Sequence, residues 1–377
     1  MIRILAKRYL HGDPMIWMVV LLLSATGVLV VYSSTSTLAY RLQGGNTEYY
    51  LFKHTFLLII SLGVMYVVHK ANYRIFARLS TLALWLSVPL LLFTWMYGDN
   101  INQASRWITI PLVNQAFQPS DLAKLALITH LAGMLSRRQQ AITNLRATLI
   151  PVLCWCGSIC ALIALSDIST SVMLFSTCML LMFIGRVPVK YLFMLVLVGG
   201  LFGSAALFLG QRAETAKSRL ENFIDRKEEP FQAVQSYIAI ATGGVKGKGW
   251  GNSDQRNILP HSYSDFVFAI IIEEYGLVGG VVVIFLYLTL LYRGMQAVSK
   301  SDRAFGGLLS AGLSFAIVIQ AMINMGVAVG LGPITGLPLP LVSMGGTSLL
   351  FTGVALGIIL STSKQTEEQE EINYQRV

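Results

Sequence analysis

The residues best equipped for chemistry in this chain are a few charges set against apolar sequence. The sharpest case is Asp265, in Leu259-Pro260-His261-Ser262-Tyr263-Ser264-Asp265-Phe266, where polar sequence gives way to a long apolar run. Partial burial at such a border raises a carboxyl pKa, which suits a general base. The same position equally suits a helix N-cap. Glu273 and Glu274 follow inside the apolar run, where two consecutive acids are costly and call for partners. On a helix continuous from Asp265, Glu273 would lie roughly 12 Å deeper and about 80° around, with Glu274 nearly opposite Asp265.

Three further segments keep polar or flexible residues. Asn102 to Lys124 contains Pro119-Ser120-Asp121, the form of a helix start, with a proline early and a hydroxyl and an acid in the first turn. Asp121 and Lys124 are three apart and so share a helix face, which an internal ion pair behind an N-terminal cap would also explain. Arg106-Trp107 has the composition of a headgroup-level anchor. Gly243-Gly244-Val245-Lys246-Gly247-Lys248-Gly249-Trp250-Gly251-Asn252 could bring backbone amides and two lysines close to an anion. Its spacing matches no nucleotide-binding fingerprint, and a flexible turn accounts for it as well. Residues 326–347 hold glycines and prolines and no charge. Non-helical backbone near a membrane is tolerated only where protein buries it or it lines a cavity, so this segment is predicted to fold back over one.

The elements that must position these residues are membrane helices. Hydrophobic residues make up 54% of the 377, charged residues only 12%, and the mean hydropathy is +0.63. A soluble domain carries roughly 25% charged residues, which excludes a soluble enzyme, a disordered chain and, despite the net charge of +9, a nucleic-acid binder. Spans need about 20 mostly apolar residues. Ten candidates run near 15–35, 52–69, 79–97, 120–135, 148–166, 169–185, 190–209, 266–292, 304–325 and 344–362. The fourth is weakest, because it carries Asp121, Lys124 and His130. The first is long and lacks a convincing cleavage site, so it reads as a retained helix.

The expected fold is therefore an all-α polytopic membrane protein forming one domain over residues 1–377. With the N-terminus in the cytoplasm, sixteen basic residues fall inside: Arg3, Lys7, Arg8, Lys70, Arg74, Arg78, Arg137, Arg138, Arg146, Arg186, Lys190, Arg293, Lys300, Arg303, Lys364 and Arg376. Only Arg41, Lys53 and Arg106 fall in short outer loops, as the positive-inside rule requires. Both termini are then cytoplasmic, with an acidic tail near 363–377. One long extracytoplasmic loop, about 210–265, joins the seventh and eighth spans and carries Arg212, Lys217, Arg219, Arg226 and Lys227 among its charges; it is too long for an idle connector. Cys154, Cys156, Cys160 and Cys178 lack polar company and read as small apolar filler.

In order and spacing these segments resemble the SEDS family (shape, elongation, division and sporulation) of the FtsW/RodA type, over nearly the whole chain. The resemblance is carried by Asp13-Pro14, Tyr32-Ser33-Ser34, Ser105-Arg106-Trp107, Phe117-Gln118-Pro119-Ser120-Asp121-Leu122-Ala123-Lys124, Asn252-Ser253-x-Gln255, Ser264-Asp265-Phe266 with Glu273-Glu274, and Ser343-x-Gly345-Gly346-Thr347-Ser348. It implies a glycosyltransferase that polymerises peptidoglycan strands from lipid II on the outer face of the cytoplasmic (inner) membrane and releases undecaprenyl diphosphate. It implies a class B penicillin-binding protein and other membrane proteins of the division machinery as partners. It places the catalytic acid on Asp265. Substrate contacts fall on Arg106, Trp107, Gln118, Ser120, Asp121, Lys124, Lys246, Lys248, Gln255, Ser343, Gly345 and Gly346, and Glu273 and Glu274 become cavity or structural acids. Arg106, Lys124, Lys246 and Lys248 are the candidates to offset diphosphate charge, alone or with a divalent cation, Mg²⁺ or Mn²⁺. Asn252-Ser253-x-Gln255 and Arg219-Leu220-Glu221-Asn222-Phe223-Ile224-Asp225 look more like the division-type member than the elongation-type one. The chain departs from the family pattern at His261, Tyr263 and Ser264, where Glu, His and Thr are usual, at Asp121 for Glu, at Met344 for Tyr, and at Ser166-Asp167-Ile168-Ser169-Thr170 for Pro-Asp-Leu-Gly-Thr. A lipid II flippase and a non-catalytic division scaffold are the rival readings.

Overall fold

The structure is a computed structural model that describes residues 11–36, 38, 40, 46–101, 104–110, 115–142, 149–209, 213–225, 230–300 and 304–375. Helices stand at all ten expected positions: α1 Pro14–Ser34, α2 Thr47–Lys70, α3 Tyr73–Tyr97, α4 Pro119–Arg137, α5 Ile150–Ala164, α6 Ile168–Ile184, α7 Val189–Leu209, and, after two further helices, α10 Val267–Lys300, α11 Ala304–Ala328 and α12 Thr347–Gln375. Among the described residues six of them, α1, α2, α3, α10, α11 and α12, are long and apolar enough to cross a membrane. The chain is a mostly helical, multi-pass membrane protein. Arg3, Lys7, Arg8, Arg41, Arg146, Arg212, Arg226, Lys227, Arg303 and Arg376, which entered the charge sorting, lie outside the described residues.

Two segments depart from the expected loops. Three short strands, β1 Asp99–Ile101, β2 Ala104–Ile110 and β3 Gln115–Phe117, form a small antiparallel sheet in the order β1-β2-β3, so the chain is not purely helical. The long loop carries two more helices, α8 Ala213–Asp225 and α9 Phe231–Gly243. The acidic tail continues α12 as far as Gln375.

The low hydropathy of α4 has a packing explanation. It packs against α3, α5, α6 and α11, and nearly every residue from Pro119 to Leu135 is buried. Its polar side chains meet protein instead of lipid, which lowers their cost. The helices α2 and α12 approach closely: a Cβ on Gly353 would lie 2.4 Å from the Ser61 carbonyl oxygen, and one on Gly357 2.7 Å from that of Met65. Glycine is the residue that permits such contact. Among the cysteines, Cys156, Cys160 and Cys178 are buried and Cys154 is exposed, and all four are free thiols.

The eighth span is not one continuous helix. Gly276 in α10 has φ 73° and ψ −175°, which breaks the ladder. The glycine-rich stretch 243–251 lies across the break and completes its hydrogen bonds. Lys248 N–H donates to the Glu273 carbonyl and Gly249 N–H to that of Glu274, each at 2.9 Å, while Leu277 N–H donates to the Gly244 carbonyl at 2.9 Å. A Cβ on Gly247 would sit 2.3 Å from the Glu274 carbonyl oxygen, so the strap depends on its lack of side chains.

Candidate active site

Asp265 stands in the turn before α10, and the whole turn is fixed through its backbone. His261 adopts a left-handed conformation, φ 58°, and its carbonyl accepts N–H groups from Ser264 at 3.0 Å, Asp265 at 3.1 Å and Phe266 at 3.4 Å. Phe266, fully buried, anchors the far side. The next three carbonyls are each held from the returning segment or from α11. Met344 N–H donates to Tyr263 at 2.9 Å, Ser343 Oγ to Ser264 at 2.5 Å, and Asn324 Nδ2 to Asp265 at 2.8 Å. Asn324 also donates to the Leu337 carbonyl at 2.7 Å, and Gln320, one turn earlier on α11, to that of Pro338 at 2.8 Å. Among the described residues no backbone amide of α10 bonds the Asp265 carboxylate, so the acid is not serving as a helix cap.

That carboxylate faces a cavity of about 930 Å³. The charge-free segment does fold over it, contributing Thr335, Gly336, Leu337 and Pro338. Gly336 is required here by its φ of 72°, which favours glycine; a Cβ on it would only touch Asp265 Oδ2, at 3.6 Å. Burial raises the Asp265 pKa above the usual 3.8, opposed by His261, by the Ser264 hydroxyl and by the Arg106 and Arg219 guanidinium groups. Burial and the neighbouring Asp265 also raise the pKa of Tyr263, which keeps its phenol a neutral donor in the cavity wall.

Of the residues singled out in the sequence, Arg106, Trp107, Gln118, Asp121, Lys124, Gly345 and Gly346 line this cavity with Asp265. Arg106, on β2, pairs with Asp167 at 2.7 Å, and Asp167 in turn caps α6 by accepting Thr170 N–H at 3.1 Å. Lys124 pairs with Asp121 at 2.7 Å on α4. The internal ion pair expected of these two is thus present, and it is also part of the cavity floor.

The remaining candidates stand apart. Ser120 is buried, and its hydroxyl has no partner among the described residues. Ser343 spends its hydroxyl on the Ser264 carbonyl and on the Leu339 N–H. Lys246 is exposed. Lys248 is held by Glu273 at 2.7 Å and Asp254 at 2.8 Å, which raises its pKa. Gln255 N–H and Asp254 N–H donate to Glu273, as does the Ser253 hydroxyl, and Glu274 is bonded by Ser33. The two acids therefore join the strap to α1 and α10 and do not enter the cavity. Helical phasing from Asp265 fails because the acid precedes the helix in a turn of its own.

Sequence reasoning did not select Lys53, His54, Asp167, Arg219 or Gln320, all of which line the cavity. His54 and Gln320 are polar residues inside apolar spans, the signal that marks functional positions in membranes, and Lys53, sorted to an outer loop, lies within α2. Asp167 has the Asp-x-x-Thr form of a helix N-cap. Arg219 on α8 donates to the Ile334 carbonyl at 2.9 Å. Burial and Arg106 lower its pKa, while Asp167 and Asp265 oppose the shift. Among the described residues no three His, Cys, Asp or Glu side chains converge as a metal-binding group.

A bundle of membrane helices that closes a charged cavity with a non-helical return defines a polytopic membrane protein. The chain belongs to the cell cycle protein family of FtsW, RodA and SpoVE, which matches residues 13–368. Stage V sporulation protein E of Bacillus subtilis (strain 168) is 32% identical over 363 residues, 93% of this chain and 97% of that protein. A probable peptidoglycan glycosyltransferase FtsW from Alkalilimnicola ehrlichii is 35% identical over 352 residues, 90% and 86% of the two chains. The fold is that of a chain in a peptidoglycan synthase complex coordinating polymerization and crosslinking, at TM-score 0.76 and 24% identity, with 95% of this chain and 99% of that one covered. It is likewise that of the rod shape determining protein RodA of Thermus thermophilus, at TM-score 0.70 and 24% identity, with 95% and 98% covered.

Proposed function

We propose that the chain is a peptidoglycan glycosyltransferase of the division type, lengthening glycan strands from lipid II and releasing undecaprenyl diphosphate. The observation that carries this reading is Asp265: a carboxyl made more basic by burial, in a cavity of about 930 Å³ that it shares with Arg106, Lys124 and Arg219. The acceptor hydroxyl attacks C1 of the donor sugar, its proton passes to Asp265, and the bond from C1 to the diphosphate oxygen breaks. Arg106, Lys124 and Arg219 meet the charge that grows on the departing diphosphate. One displacement on an α-linked donor gives a β-linked product without a covalent sugar–enzyme intermediate. A divalent cation carried in with the diphosphate, Mg²⁺ or Mn²⁺, is compatible with this scheme.

The cavity opens on the outer face of the cytoplasmic membrane in this reading, which rests on the sorting of basic residues to the opposite side. The natural partners are a class B penicillin-binding protein, to crosslink the new strand, and other division proteins of the membrane. The relatives named FtsW and the structural neighbour in a synthase complex support this assignment. Purified protein given lipid II tests it. Wild type yields polymer and Asp265→Asn yields it about 10²–10⁴-fold more slowly, whereas polymer from the variant at the wild-type rate overturns Asp265 as the base. Labelling a cysteine placed at exposed position 246 from outside intact cells tests the orientation; modification from the cytoplasm alone refutes it.

A further inference from the structure

A second cavity of about 310 Å³ adjoins the first. It is walled by Asn222 and Phe223 from α8, Tyr237 from α9, and Pro333 from the return segment. Arg219 and Ile334 line both cavities. The hydrogen bond from Arg219 Nη1 to the Ile334 carbonyl, 2.9 Å, is thus part of the partition between them. The wall is built for close packing: Gly330 has φ 80°, and a Cβ there would lie 2.7 Å from the Tyr237 hydroxyl.

The volume lies within the usual range of small-ligand sites, about 300–1,000 Å³, which combine aromatic walls with a few fixed polar groups. Two aromatic rings, one amide and one guanidinium suit a pyranose: its C–H face packs on a ring, and its hydroxyl and acetamide groups bond an amide, which both donates and accepts. A lipid tail would leave the Asn222 amide desolvated and unmatched. A strand-lengthening enzyme must also hold the sugars already joined, since these have to clear the reacting cavity.

Resting on the glycosyltransferase reading, we propose that this second cavity is a glycan subsite, taking a sugar of the strand one or two units from the reacting end. Phe223 and Tyr237 carry the ring faces, Asn222 bonds the polar substituents, and Arg219 links the subsite to the diphosphate cavity.

The test uses the full chain and a lipid-free glycan tetrasaccharide as probe, observed by ligand NMR. Wild type binds it, and Asn222→Ala or Tyr237→Ala weakens binding about fivefold to tenfold, the value of one lost contact. With lipid II, the same variants give shorter strands, with the mean length reduced by more than the rate of the first coupling. A wild-type chain that fails to bind the tetrasaccharide, or variants with unchanged strand lengths, overturn the proposal. Should the alanine variants not fold, Phe223→Leu and Asn222→Asp carry the same readouts. Binding is repeated in Asp265→Asn, which needs no turnover. Loss of tetrasaccharide binding there counts against the subsite, whereas polymerisation by that variant at the wild-type rate counts against Asp265 alone.

Discussion

Replacing Asn324 tests how the proposed base is held in place. Its side chain is fully buried, does not line the cavity, and donates both amide hydrogens, to Asp265 at 2.8 Å and Leu337 at 2.7 Å. Asn324→Ala leaves two carbonyls without donors. Each costs about 1–3 kcal/mol if no water replaces the bond, so roughly 2–6 kcal/mol of stability is at stake. A displacement of the base by about 1 Å lowers turnover on the order of 10²-fold. Because Asn324 does not touch the cavity, kcat should fall while KM changes little. Asn324→Asp should be worse than alanine at neutral pH: a carboxylate can only accept, so it would face two carbonyl acceptors, and its charge would push the Asp265 pKa higher still. The acid limb of the pH–rate profile should then move to higher pH. Asn324→Gln, which keeps both donors, should be intermediate. Steady-state polymerisation of lipid II by purified variants, with thermal melts alongside, provides the measurement. Wild-type kcat in Asn324→Ala, or better turnover in Asn324→Asp than in Asn324→Ala, would refute the positioning role.

Asp265→Asn should reduce polymerisation by about 10²–10⁴-fold without lowering the melting temperature, because it removes a charge that burial disfavours. For wild type the base works ionised and its pKa is raised, so the rate should fall as pH drops through a value above 3.8; a limb at or below 3.8 would contradict the burial argument. Lys248→Met should destabilise by about 1–3 kcal/mol, since it strips the charged donor from Glu273, which is 0% exposed but keeps Ser253, Asp254 and Gln255. Glu273→Gln should cost less, because Lys248 retains Asp254 at 2.8 Å and is partly exposed; the reverse order in thermal melts would show that Lys248 is not there to compensate the buried acid. Gly247→Ala should cost about 3 kcal/mol or more from its φ of 81° and the contact 2.3 Å from the Glu274 carbonyl oxygen, and a wild-type melt would mean the strap can shift freely.

Hydropathy made the helices legible, because lipid leaves apolar length as a direct record of each span. The weak fourth span was legible for the opposite reason: α4 is wrapped by protein, so it tolerates Asp121, Lys124 and His130. The charge-free segment 326–347 and Asp265 were readable because each violates its surroundings. The break at Gly276 was not, since it lies in an unbroken apolar run and is completed by backbone groups some thirty residues away. The three strands are too short, at three to seven residues, to show a period. Placing Glu273 relative to Asp265 rested on a helical phase that a single turn at His261 removes, whereas Lys248 and Gln255 were set at the site by the family resemblance and not by helix geometry.

The way Asp265 is held suits a group that must gain and lose a proton. Its main chain is bound at both ends, by Asn324 at its carbonyl and by the His261 carbonyl at its amide, and the two carbonyls before it, of Ser264 and Tyr263, are bound to Ser343 and Met344. Anchoring the backbone fixes the acid's position without satisfying the carboxylate, whose protonation state stays responsive to the cavity. The two acids, eight residues apart, are held differently: Glu273 takes several donors and holds the helix break together, and Asp265 stands at the edge of a cavity ringed by Arg106, Lys124 and Arg219.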